Sequence, residues 1–187
     1  MRIIAGKFRG RRLKSPPDAR TRPTSDRLRE TLFNVLAPRI EGARFLDLCA
    51  GTGAVGIEAL SRGARNVTFV DQSRKMCALI EENVGALGPS DEQCEIVTAE
   101  ASEYLRRRVR KPNPPFDIVF FDPPYEANYE AVLILTAENA ARLIALDAIV
   151  VVEHYRKKDL ADEFGQLRRY RTLKQGDSVL SFYRPGQ

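Results

Sequence analysis

Asp122, Pro123, Pro124 and Tyr125 follow directly on an apolar run, Ile118 to Phe121, and their types in that order suit the handling of an amine. A buried strand ending in such a group places it at the carboxyl edge of the sheet, where α/β proteins hold their ligands. Two prolines fix φ and donate no backbone hydrogen bond, so the carbonyls before and between them stay available as acceptors. An exocyclic NH2 on a base has two protons to donate and a lone pair delocalised into its ring. The Asp122 carboxylate and the Pro123 carbonyl can accept both protons, hold the nitrogen in line with an electrophile and favour the lone pair as nucleophile. Tyr125 is then placed to stack on the same base. Taken alone, the tetrapeptide is equally a rigid turn that ends a strand, with a tyrosine packed beside it.

A second feature, upstream, decides between these readings. Phe45 to Leu48 is an apolar strand running into Gly51-Thr52-Gly53-Ala54-Val55-Gly56 and then a helix from Ile57 to Ser61. The glycine spacing also fits a nicotinamide dinucleotide site. Asp47 discriminates, because a carboxylate at the strand end repels a pyrophosphate but suits a ligand carrying an ammonium and a sulfonium. S-adenosyl-L-methionine is such a ligand. The next strand, Asn66 to Val70, ends in Asp71, which lies twenty residues after Gly51 and is placed to accept from two ribose hydroxyls. Strand-end acids and an amine-gripping turn together point to methyl transfer to an amine.

Composition fits one modest enzyme. The chain has 187 residues, 43% of them hydrophobic, enough for one substantial core and a domain with an appendage. No apolar run approaches the ~20 residues that cross a bilayer, and no signal-peptide segment opens the sequence. A soluble, cytoplasmic protein with no membrane partner is expected, and a monomer suffices. Cys49, Cys77 and Cys94 are odd in number and widely separated, and His154 is the one histidine, which fits neither a zinc site nor a disulfide framework. No metal is expected. Cys49 reads as a small packing residue in the glycine turn, and His154 as a strand-end residue.

The charge is unevenly spread. Residues 1–40 hold 11 Lys or Arg against 3 acids, a local +8, so the other 147 residues sum to −3. Residues 1–20 read as a basic arm built on a hairpin or ribbon, ahead of a catalytic domain at 21–187. Arg2, Lys7, Arg9, Arg11 and Arg12 can contact phosphates, Phe8 can stack on a base or support the ribbon, and Arg22 extends the basic stretch. Further basic clusters lie at Arg106 to Lys111 and at Arg168, Arg169 and Arg171.

These residues need a frame. Ser15-Pro16-Pro17 reads as a linker, and Thr24 or Ser25 can cap a helix running to about Ala37. Leu28, Leu32, Val35 and Leu36 share one face, so this helix should pack on the core and bring Arg22, Pro23 and Thr24 close to the glycine turn. Strands are expected near 44–48, 66–70, 94–98, 117–121 and 147–152, alternating with helices near 54–62, 73–87, 101–109 and 128–144. Leu167 to Leu173 and Val179 to Tyr183 flank a Gln-Gly-Asp-Ser turn, a hairpin signal. The fold class is therefore α/β: a doubly wound, mostly parallel, Rossmann-like sheet of seven strands closed by an antiparallel hairpin.

At this level of detail the chain resembles the RsmD family of 16S ribosomal RNA guanine-N2 methyltransferases, of the class I S-adenosylmethionine-dependent fold. The resemblance rests on Ile-Ala-Gly-x-x-Arg-Gly at 4–10, Arg22-Pro23-Thr24-x-Asp26-Arg27-x-Arg29-Glu30-Thr31-Leu32-Phe33-Asn34, the turn from Asp47 to Gly56 with Glu58 to Gly63 after it, and Asp122 to Tyr125. It implies methylation of one guanine of 16S RNA in small ribosomal subunits or their assembly intermediates. It also implies that Asp47 and the glycines Gly51 and Gly53 lie around the methionine part of the cofactor, Asp71 at the ribose and Glu100 and Ala101 near the adenine, that Ala50, Thr24 and Asp122 also belong to the cofactor site, and that Asp122 to Tyr125 lie at the target base. Val70 stands before Asp71 where the family often has Glu. Two other readings stay open. One is a DNA methyltransferase acting on a base amine, and the other a non-catalytic RNA-binding assembly factor. Cytosine-C5 chemistry is harder to support, since it needs a cysteine nucleophile at the target base and no cysteine neighbours Asp122 in the sequence.

Overall fold

The computed structural model describes residues 1–16, 25–88, 93–124 and 126–186. Arg22, Thr24 and Tyr125 lie outside them, as does Pro17 of the expected linker. The parallel strands are β1 (Arg44–Leu48), β2 (Asn66–Asp71), β3 (Cys94–Thr98), β4 (Phe116–Phe121) and β5 (Ile144–Tyr155), and the antiparallel ones β6 (Glu163–Phe164), β7 (Leu167–Gln175) and β8 (Ser178–Pro185). They form one sheet in the order β3-β2-β1-β4-β5-β8-β7-β6. Helices α1 (Asp26–Ile40), α2 (Ala54–Ser61) and α3 (Arg74–Gly85) bury their apolar sides in the core on one face of the sheet, and α4 (Ala101–Arg108), α5 (Tyr129–Glu138) and α6 (Ala140–Leu143) in the core on the other. None of the described helices is long and apolar enough to cross a membrane.

Three features differ from the expected pattern. The sheet has an eighth strand, the two-residue β6: Gly165 turns with φ +54°, folding Phe164 back against Leu167, where its ring meets Tyr183 at 5.7 Å. The expected helix 128–144 breaks at Asn139, whose φ of −114° leaves the helical region and whose Nδ2 donates to the Leu135 carbonyl at 2.9 Å. α1 continues through Pro38 to Ile40, because a proline in the last turn removes little from the ladder. Its cap is Ser25, whose Oγ accepts from Leu28 N at 3.2 Å. β6 covers only Leu167 and Arg168 of β7, so among the described residues positions 170–175 have a strand partner on one side only.

The basic segment is not a separable appendage. Its ends meet in one antiparallel bridge between Arg2 and Arg12, with Ile3 N donating to Arg11 O at 3.0 Å. Ile3, Phe8 and Leu13 are buried in the same core as α1 and α2. The loop is held by Glu58, the one charged residue of α2 and buried, which accepts from Ile4 N at 2.8 Å and Ala5 N at 3.0 Å. Ser61 adds a bond from Phe8 N at 2.9 Å to its Oγ and one from Lys7 N at 2.7 Å to its carbonyl. Arg29 of α1, fully buried, donates to the Arg2 carbonyl and to Asp26, each at 2.7 Å.

Gly6 sits where these contacts converge, at φ +81°, and a Cβ there would lie 1.8 Å from the Ser61 carbonyl oxygen. Gly6→Ala combines a left-handed backbone with a collision against main chain, so a loss on the order of 3 kcal/mol is expected. For a chain of this size that lowers Tm by roughly 6 to 12 °C in a thermal melt. An unchanged Tm would mean that the loop is not seated on α2.

Candidate active site

An open cavity of about 890 Å³ runs along the carboxyl ends of β2, β1, β4 and β5. Asp47, Ala50, Gly51, Asp71, Glu100 and Ala101 line it toward β2, and Asp122, Pro123 and Pro124 line it at the β4 tip. The sequence candidates that the structure describes are thus brought together, with Gly53 close behind, capping α2.

Each acid is held by its local backbone. Asp47, 1% exposed, accepts from Gly56 N at 2.8 Å, and burial pushes its carboxyl up to about 7, reinforced by the charge of Asp71. Gly56 permits this approach, since a Cβ there would lie 2.3 Å from the Phe69 ring. Asp71 accepts from Gly51 N and Ser73 N, each at 2.8 Å, and so ties the glycine turn to the start of α3. Cys49 is the one described non-glycine residue with positive φ, at 62°. Burial first, then the surrounding acids, push its thiol well above the usual range, so it stays protonated. Glu100 caps α4, accepting from Glu103 N at 3.1 Å and from Ser102 Oγ. Burial works to raise its pKa, but those hydrogen bonds and the nearby Arg106 charge lower it.

The raised pKa of Asp47 has a consequence for stability. The unfolded carboxyl titrates near 3.8 and the folded one near 7. Between those values the folded chain binds more protons than the unfolded, so this group makes stability fall as pH rises through the window. Asp47→Asn keeps an acceptor for Gly56 and carries no charge. It is expected to raise Tm by a few degrees more at pH 8 than at pH 5. Equal gains at both pH values would show that no such titration occurs there.

At the β4 tip, Asp122 N donates to Leu48 O at 3.3 Å, which fixes the turn to β1. The Pro123 carbonyl accepts from the buried Tyr129 hydroxyl at 3.2 Å. A carbonyl has two lone pairs, so one acceptor site remains at that oxygen in this pairing. Lys158 lies over the Tyr129 ring at 4.1 Å, and the aromatic base of this turn is thereby fixed.

Sequence reasoning missed the far end of the cavity, where the cap Ser25 and Leu28 of α1, Glu153 of β5 and Gln175 and Ser178 of the hairpin line it. A signal was available. Glu153 follows the apolar run Ile149 to Val152 as Asp122 follows Ile118 to Phe121 and Asp71 follows Asn66 to Val70. His154 points elsewhere: its Nε2 is 2.9 Å from Ser181 Oγ, and burial lowers its pKa, in keeping with a structural strand-end residue.

The candidate nucleic-acid contacts divide. Arg9 and Arg12 are exposed. Arg2 pairs with Asp26 at 3.5 Å, and Arg11 donates to the Ala86 carbonyl at 2.5 Å. Lys7 lies over the Phe8 ring at 5.3 Å. Phe8 itself is 7% exposed, so of its two expected functions it performs the support of the loop and is not available to stack on a base.

Comparison with known proteins places this geometry. A family model described as conserved hypothetical protein 95 matches residues 1–184. Ribosomal RNA small subunit methyltransferase D of Haemophilus influenzae is 38% identical over 161 residues, covering 86% of this chain and 81% of the relative. The protein of the same name from Escherichia coli K12 is 38% identical over 154 residues, covering 82% and 74%. The solved structure of yhhF from Escherichia coli superposes with a TM-score of 0.85 at 32% identity, over 100% of this chain and 98% of that one. On a match that spans nearly the whole chain, and on relatives well above 30% identity, the protein belongs to the RsmD family of small-subunit ribosomal RNA methyltransferases.

Proposed function

We propose that this protein transfers a methyl group from S-adenosyl-L-methionine to the exocyclic N2 amine of one guanine in 16S ribosomal RNA, acting on small ribosomal subunits or their assembly intermediates. The observation that carries the reading is one continuous cavity with Asp47, Asp71 and Glu100 toward one end and Asp122-Pro123 midway along it. Its volume, about 890 Å³, accommodates a nucleoside cofactor together with an extruded base. The residues also fit the cofactor chemically. The buried carboxylate of Asp47 faces the region where a ligand with an ammonium and a sulfonium finds its complement, and Asp71 keeps acceptor capacity for ribose hydroxyls beyond its two backbone bonds. The cofactor, when bound, supplies a strongly electrophilic methyl.

The chain's own task is mainly positioning. Asp122 and the Pro123 carbonyl accept the two amine protons, turn the nitrogen lone pair toward the electrophile and relieve the proton that becomes acidic as the new bond forms. The Tyr129 hydroxyl, by donating to the same carbonyl, keeps that oxygen from rotating away. Tyr125 stacks on the base. The docked basic loop holds the RNA backbone, and the substrate puts the enzyme in the cytoplasm, where a monomer is sufficient.

Labelled methyl transfer to purified small subunits lacking their own methylation, to naked 16S RNA and to DNA, followed by nucleoside analysis, tests the reading. N2-methylguanosine in the particles is expected; a methylated DNA base would replace the substrate, and no transfer at all would leave only an RNA-binding factor. The loop is tested separately. Arg9→Gln with Arg12→Gln removes two exposed charges without disturbing the buried contacts of the segment. It should weaken RNA binding and reduce the steepness of its salt dependence by about 1.4 to 1.8, while cofactor affinity stays the same. An unchanged salt slope would remove these residues from the RNA interface.

A further inference from the structure

We infer that Glu153 selects guanine among the bases by accepting its N1–H, an inference that rests on the guanine-N2 reading above. The β4–β5 register pairs Phe121 with Val152, so Asp122, just past the end of β4, and Glu153, two residues before the end of β5, come next on neighbouring strands. Glu153 alternates with Val152 and shares the side of Val151, which faces the core under α1 to α3, and it lies opposite Leu180 of β8, in the same core. On that side Ser25 and Leu28 wall the cavity. Glu153 is 8% exposed and lines the cavity, so a base reaching the β4 tip meets it.

Its carboxylate is already oriented. Ser178 Oγ donates to Glu153 Oε1 at 2.9 Å, which helps set the rotamer of a group with roughly four acceptor sites. Gln175, another residue of the lining, accepts from Thr31 of α1 at 3.0 Å, so it too is held by a neighbouring side chain.

The chemistry then discriminates. The Watson–Crick edge of guanine carries three N–H groups in a row, the two on N2 and the one on N1. Asp122 and Pro123 account for the amine. The third proton needs an acceptor beside them, and the strand next to β4 supplies a carboxylate. Adenine has a lone pair at N1 and cytosine one at N3, and each would face that carboxylate without a proton between them. Uracil offers one N–H flanked by two carbonyls, which repel the same groups. A site built to accept a hydrogen bond rejects a ligand lacking the donor by factors of 10⁴ or more, far beyond what shape alone achieves.

The test uses 2-aminopurine, which keeps the N2 amine but has a bare lone pair at N1. Small subunits are reconstituted with 16S RNA carrying guanosine or 2-aminopurine riboside at the nucleotide the wild-type enzyme methylates, and kcat/KM is measured on both. Wild type is expected to prefer guanine by about 100-fold or more. Glu153→Gln replaces an acceptor with an amide that can donate to N1 of 2-aminopurine, so activity on guanine falls at least tenfold and the preference narrows by at least tenfold. Glu153→Asp, which keeps the carboxylate, retains the preference for guanine even at reduced rate. The ratio is internal to each enzyme preparation, so partial unfolding does not move it. An unchanged ratio in Glu153→Gln overturns the inference alone. Absence of N2-methylguanosine with wild type overturns the reading beneath it, and the inference with it.

Discussion

Asp122→Ala lowers turnover by about 100-fold or more while leaving the affinity for S-adenosylmethionine within a few-fold of wild type, as single-turnover kinetics and calorimetry would record. The asymmetry follows from where the carboxylate sits. Asp122 lines the cavity at the β4 tip, and Asp47, Asp71 and Glu100 line it toward β2. An interaction made to the amine as it becomes a nucleophile is lost from kcat, whereas one made equally to bound and reacting cofactor would appear in binding. Alignment of two reacting centres is worth several orders of magnitude, and an amine with a delocalised lone pair depends on it more than most nucleophiles. Asp122→Asn, which keeps an acceptor oxygen but presents an NH2 in one rotamer, should fall between the two. Wild-type turnover in the alanine variant would remove Asp122 from the reaction; a parallel loss of cofactor affinity would move it to the cofactor.

The second large effect is on stability. Glu58→Ala leaves the Ile4 and Ala5 amides and the Arg62 guanidinium, 2.7 Å from the carboxylate in the native chain, without their acceptor. Removing one partner from a buried charged network costs about 3 to 5 kcal/mol. At roughly 2 to 4 °C per kcal/mol, Tm should fall by about 6 to 20 °C. Glu58→Gln keeps one acceptor oxygen and should fall less. A melt of the alanine variant within about 2 °C of wild type would show that the loop is held by its apolar residues alone. The same experiment separates fold from function, because the loop carries Arg9 and Arg12 but lies outside the cavity lining.

Much of the site was legible because its parts are contiguous in sequence. Glycines, strand-end acids and the proline turn each announce themselves within a few residues, and a parallel sheet brings every strand-end acid to one edge by topology alone. What escaped depends on contacts between distant positions. Glu58 and Ser61 matter through residues more than fifty positions away, and Arg29 through the Arg2 carbonyl. A single charge in Ala54-Val55-Gly56-Ile57-Glu58-Ala59-Leu60-Ser61 was nonetheless a sign that the helix buries a polar partner, since an all-apolar helix has no solvated face to carry it. The basic segment misled for the same reason. Its charges and glycines suggested a basic ribbon ahead of the domain, but Ile3, Phe8 and Leu13, spaced five apart, are what fix it to the core.

The half-covered strand β7 has an effect beyond this molecule. An open sheet edge is a template on which any extended segment can add, and a second copy of the same chain is always at hand. Here the exposed edge presents Arg171 and Lys174, and a bulge between Arg169 and Arg171 breaks the hydrogen-bond register. Two copies meeting along it would stack like charges on like and find their ladders out of step. Charge and an interrupted register on the C-terminal hairpin thus oppose edge-to-edge addition of a further strand. The charge part of that opposition reaches about 8 Å at physiological ionic strength and about 3 Å in molar salt, leaving the bulge as the part that salt does not weaken.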